Sequence, residues 1–102
     1  MAFMKAASTK DLQPASMIGV EVNGKEILLT NLDGKYFAIG NRCTHLSCLL
    51  SDGSLKEGNV TCPCHMSIFN VKTGDVIRGP ARKPEPMFET KIEGEEILVN
   101  VP

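Results

Sequence analysis

All four cysteines and both histidines of the chain fall in two short stretches, Cys43-Thr44-His45 with Cys48 close behind, and Cys62-Pro63-Cys64-His65. The first reads C-x-H and the second C-x2-H, with residues 46–61 between them. Each stretch thus offers one thiolate and one imidazole. Soft thiolates select zinc and iron-sulfur clusters, and imidazole suits both zinc and iron, so the chemistry indicated is metal ligation by cysteines and histidines of these two stretches. A closed tetrahedral zinc site is the simplest structural reading of two Cys and two His. Its usual spacing is C-x2-4-C and H-x3-5-H, which C-x-H does not fit. An even cysteine count also suggests disulfides in a secreted chain, but the first residues carry Lys5, Lys10 and Asp11 where a signal peptide would be apolar.

The paired C-x-H and C-x2-H motifs resemble the Rieske family, in which two Cys hold one iron of a [2Fe-2S] cluster and two His hold the other. The resemblance implies one Rieske-type [2Fe-2S] cluster per chain, ligated by Cys43, His45, Cys62 and His65. Neutral imidazoles in place of two thiolates remove negative charge, so an added electron costs less, and Rieske potentials lie at about −150 to +300 mV against about −400 mV for plant-type ferredoxins.

The same resemblance implies roles for further residues. Cys48 and Cys64 match the extra pair that forms a disulfide in the branch related to cytochrome bc and b6f complexes; many bacterial dioxygenase ferredoxins lack it. Closing a loop of that length would contribute about 3 kcal/mol. Ser67 matches a serine that donates to a cluster sulfur. Phe69 stands where the high-potential proteins have a tyrosine donor, and Met66 replaces a glycine that is usual beside the second histidine. Gly79-Pro80 resembles the proline loop that covers the cluster, with Leu46 as an apolar shield.

The elements that must position these residues read as all-β. Residues 17–22 alternate apolar and polar positions, Asn23-Gly24 is a hairpin turn signal, and 26–32 would return. Asp33-Gly34 repeats the signal before 36–39. Residues 87–92 and 96–101 alternate again around Gly94. Between these runs, 41–83 is rich in Cys, His, Gly and Pro, with short strands expected at 59–61, 67–70 and 76–78. Pro14 interrupts the best early helical window, residues 8–17. The expectation is a single domain, 1–102: a Rieske-like antiparallel β-sandwich or barrel scaffold from 1–40 and 84–102, carrying a loop-rich cluster-binding subdomain at about 41–83.

Bulk properties narrow the function classes. The 102 residues carry a net charge of −1, one Tyr, four Phe and no Trp, which disfavours nucleic acid as a partner. No stretch approaches the roughly 18 apolar residues of a membrane span. No nucleophile with its base and no phosphate-cradling loop stands out, so the chain reads as an electron-transfer protein and not an enzyme. The expected function is a soluble, cytoplasmic, monomeric one-electron carrier without a membrane anchor, serving redox partner proteins: a reductase and an oxygenase or other oxidoreductase. The alternatives are an electron-transfer small subunit of a nitrite reductase or arsenite oxidase type complex, and a zinc-stabilised interaction module.

Overall fold

The computed structural model describes residues 2–44, 47–64 and 66–102. His45, Leu46 and His65 therefore lie outside the described residues. The strands are β1 (Ala2–Ser8), β2 (Ser16–Val22), β3 (Lys25–Leu32), β4 (Lys35–Gly40), β5 (Ser54–Lys56), β6 (Asn59–Thr61), β7 (Ile68–Asn70), β8 (Val76–Arg78), β9 (Met87–Phe88), β10 (Thr90–Glu93) and β11 (Glu96–Val101). They form three antiparallel sheets ordered β1-β11-β10, β2-β3-β4-β9 and β5-β6-β7-β8. The all-β antiparallel fold expected from the sequence is the fold the chain adopts.

The β2-β3-β4 meander forms where the turn chemistry placed it. Asn23 and Gly24 have φ of 50° and 79°, and Asp33 and Gly34 have 54° and 86°. Both central residues of each turn are left-handed, the geometry that matches the twist of a two-residue hairpin. Two departures from the expected elements have plain physical causes. Residues 2–8 form β1 although they lack β-branched side chains, because β11 pairs along them from Val101 to Glu96; tertiary pairing overrides weak propensity. Residues 87–92 split at Glu89, because β9 pairs with β4 in one sheet while β10 pairs with β11 in another.

Alternation within the central sheet creates two cores. Ile27 and Leu29 of β3 and Ala38 of β4 face Ile97, Val99 and Val101 of the first sheet. Leu28 and Ile39, one residue out of phase, face the other way and pack with Cys43, Leu50, Val60, Cys62, Phe69, Val71 and Ala81. Successive side chains of a strand point to opposite faces, so a strand buried on both reads as an unbroken apolar run. The central sheet is thus the shared wall between scaffold and site.

Candidate metal centre

Two loops carry the cysteines, and their backbones repeat. In the first, the Ser47 N–H donates to the Cys43 carbonyl at 2.8 Å and the Cys43 N–H to the Cys48 carbonyl at 2.8 Å. In the second, the Met66 N–H donates to the Cys62 carbonyl at 3.1 Å and the Cys62 N–H to the Ser67 carbonyl at 2.7 Å. Ser47 and Met66, the equivalent fifth residues counting from each cysteine, both take a left-handed φ, 60° and 63°. Met66 therefore keeps the conformation for which glycine is the ordinary choice, and the residue is 59% exposed. Each loop grows from a strand end: the first follows β4, and the second joins β6 to β7.

The loops present Cys43 and Cys62 into the second core, 2% and 1% exposed. A disulfide joins Cys48 to Cys64 with Cα atoms 6.4 Å apart, so the pairing implied by the sequence resemblance is present. The sulfurs of Cys48, Cys62 and Cys64 all lie within 4.8 Å of one another. The bridge thus clamps one loop to the other immediately beside a buried thiol.

Residues 79–84 are hydrogen-bonded to both loops. Their Gly79-Pro80 peptide is cis, Pro80 is exposed and Ala81 is buried. The Ala81 N–H donates to the buried Ser67 Oγ at 3.0 Å, while Thr44 Oγ1 donates to the Lys83 carbonyl at 2.7 Å. Each cysteine loop therefore holds one end of the proline segment. The Ser67 hydroxyl, having accepted from Ala81, retains its own proton for donation. Phe69 is fully buried in the same core and presents no hydroxyl.

Two carboxylates, Glu26 and Glu85, make contrasting contacts with the first loop. Arg42 donates to Glu26 through Nε at 3.0 Å and lies 2.9 Å from its second oxygen, and its Nη1 reaches the Ser47 carbonyl at 3.0 Å. That fork fixes the loop's outer edge against β3. Glu85 is different: it is 4% exposed, and burial pushes its carboxyl up to about 7, opposed by the Thr44 N–H that favours the charged form.

A match to the Rieske [2Fe-2S] domain spans residues 2–100. The chain belongs to the Rieske family. This Rieske chain is 37% identical over 101 residues to the ferredoxin component of biphenyl 2,3-dioxygenase from Rhodococcus jostii strain RHA1, covering 99% of this chain and 94% of that protein. Among solved structures it resembles the ferredoxin of carbazole 1,9a-dioxygenase from Nocardioides aromaticivorans IC177, with a TM-score of 0.91 at 28% identity and 97% coverage of both chains. A chain in the complex of reduced oxygenase and oxidized ferredoxin in carbazole 1,9a-dioxygenase matches with a TM-score of 0.89 at 28% identity, covering 95% of this chain and 91% of that one.

The protein is accordingly a one-electron carrier, and its cofactor is a Rieske-type [2Fe-2S] cluster. The described donor set fits that cofactor: two buried thiols outside the disulfide stand at the heads of equivalent loops, and the second loop also carries the buried Ser67 hydroxyl. His45, Leu46 and His65 lie outside the described residues. No helix among the described residues is long and apolar enough to cross a membrane. Sequence reasoning missed two positions here, Thr44 and Glu85. The only signal for the second is a carboxylate between two prolines, Pro84-Glu85-Pro86, which by itself marks little more than a rigid turn.

Proposed function

We propose that the chain is a freely diffusing, cytoplasmic, monomeric Rieske ferredoxin that takes single electrons from a reductase and delivers them to the oxygenase of an aromatic-ring dioxygenase system. The observation that carries this reading is the pair of buried cysteines at the heads of two hydrogen-bond-equivalent loops, in a chain matched nearly end to end by a dioxygenase ferredoxin. The cluster supplies reversible one-electron exchange when bound. Cys43 and Cys62 would hold one iron as thiolates, and His45 and His65 the other as imidazoles, as membership of the Rieske family implies.

The remaining residues shape the site. Packed against Val60, Phe69 and Ala81, the two thiols sit where water is excluded, which helps define a potential. Ser67 would turn its free proton toward a cluster sulfur and so favour the reduced form, whereas Phe69 offers no second donor; the pair places the expected potential below the top of the Rieske range. Arg82 and Lys83, exposed beside Thr44 and Pro80, present cations at the edge of the cysteine loops. Such a fringe speeds encounter with an acidic docking face.

The test is aerobic purification followed by absorption spectroscopy with iron, sulfide and zinc counted, and then electron delivery to a biphenyl-dioxygenase type oxygenase in a reconstituted system. A coloured protein with two irons per chain that supports turnover is the expected result. A colourless protein with one zinc per chain overturns the cluster ligand set. A coloured protein that copurifies in fixed ratio with a large subunit overturns the freely diffusing carrier.

A further inference from the structure

Glu85 is a carboxylate that the electron-transfer reading leaves unused, and the fold takes trouble to bury it. Its backbone is pinned from both sides: the Glu85 N–H donates to the Gly74 carbonyl at 2.8 Å, and the Gly40 N–H donates to the Pro86 carbonyl at 2.9 Å. Two glycines make room for it. A Cβ on Gly40 would stand 2.6 Å from Glu85 Oε1 and 3.0 Å from the Pro86 ring, and a Cβ on Gly74 would collide with the Glu85 carbonyl oxygen. The carboxyl therefore occupies a slot between the end of β4, the turn before β8 and the first cysteine loop.

What it meets in that slot is the Thr44 N–H, the peptide group between Cys43 and Thr44. Its second oxygen, Oε2, is buried with no hydrogen-bond partner among the described residues. Burying a carboxyl with one oxygen unpaired is costly, and an apolar side chain of the same volume would fill the slot at less expense. What an apolar side chain lacks is an acceptor for that N–H. The Thr44 side chain is meanwhile tied to Lys83, so Thr44 is held on both its backbone and its side chain, directly between Cys43 and His45.

We propose that Glu85 is a positioning residue of the metal centre: by accepting from the Thr44 N–H it sets the orientation of the peptide that follows Cys43, and through it the geometry of the first ligand pair. The inference rests on the reading of Cys43 and His45 as ligands. Fixing a ligand's backbone acts on the metal as an outer hydrogen bond does, and loss of such a partner typically costs about 10- to 100-fold in metal affinity.

The test compares Glu85→Ala, Glu85→Gln and the exposed control Glu89→Ala as reduced holoproteins, reading the electron paramagnetic resonance g-values, the reduction potential and the rate of cluster loss to a chelator. Glu85→Ala is expected to shift the g-values and potential and to lose its cluster at least about tenfold faster. Glu85→Gln, which keeps an oxygen acceptor of the same reach, is expected to restore the wild-type g-values; Glu89→Ala leaves all three unchanged. A role in packing alone would lower thermal stability without moving the g-values. If Glu85→Ala does not yield folded holoprotein, Gly40→Ala decides, since its methyl displaces Oε1 while Glu85 remains. A wild-type signal, potential and loss rate in the deciding variant overturns the proposal, whereas wild-type protein with no Rieske-type signal overturns the ligand reading beneath it.

Discussion

The two cores that share the central sheet hold their surroundings together by different means. The scaffold core lies between two sheets whose main strands run four to eight residues, and its side chains come from alternating positions along them. The site core is roofed by a sheet whose strands are three residues each and by loops joined through a disulfide, Thr44, Ser67 and Ala81. Strands this short bury little on their own, so the site half depends on cross-links that the scaffold half does without. With the proposed ligands the cluster would be one more such link, and metal binding there would contribute to folding as well as to redox chemistry.

That contrast is broken most forcefully at a proposed ligand. Cys62→Ser is expected to abolish cluster loading and to strip the site half of amide protection in hydrogen exchange, while the scaffold strands stay protected. Equal loss of protection in both halves would mean that they fold as one cooperative unit. Next in size is a pair of neighbours on β3. Leu28→Ala and Leu29→Ala should each cost about 2–5 kcal/mol, because both side chains are fully buried. Only Leu28→Ala, which hollows the site core, should also speed cluster loss to a chelator.

Removing the disulfide by joint Cys48→Ser and Cys64→Ser is expected to cost about 3 kcal/mol, and denaturant titration of the holoprotein measures it. The purified protein should still load iron and then lose it faster. A pH effect comes next. Burial raises the Glu85 carboxyl from its ordinary 4.5 to about 7, so between those values the folded chain holds a proton that the unfolded chain has released. The resulting contribution to stability is complete below about pH 4.5 and is lost as pH rises through about 7. Glu85→Gln should flatten that part of the stability profile. The smallest effect is at the exposed Met66, where Met66→Gly relieves a left-handed φ and should stabilise the second loop by about 1 kcal/mol in thermal unfolding.

The same division governs how much was legible beforehand. Hairpins such as Asn23-Gly24 and the alternation of β11 carry local signals, so the meander and the last strand stand in the sequence almost as they fold. The cysteines are legible for another reason: metal ligation demands particular atoms at particular spacings, and few other arrangements use them. β1 was missed because Ala2–Ser8 becomes a strand only through β11. Ser54–Lys56 was missed because a three-residue strand leaves no period to read. Glu85 was missed because a carboxylate between prolines looks like surface until the Gly40 slot and the Thr44 N–H are seen around it. The loop equivalence also lay hidden, since Ser47 and Met66 share a backbone conformation and nothing in their side chains.

The ligand set is tested most directly by nitrogen hyperfine spectroscopy of the reduced protein, comparing natural-abundance material with protein carrying nitrogen-15 histidine. Couplings from two imidazole nitrogens that change with the label are the expected result. A reduced [2Fe-2S] signal with no histidine nitrogen coupled to it would contradict the assignment of His45 and His65 to one iron and of Cys43 and Cys62 to the other.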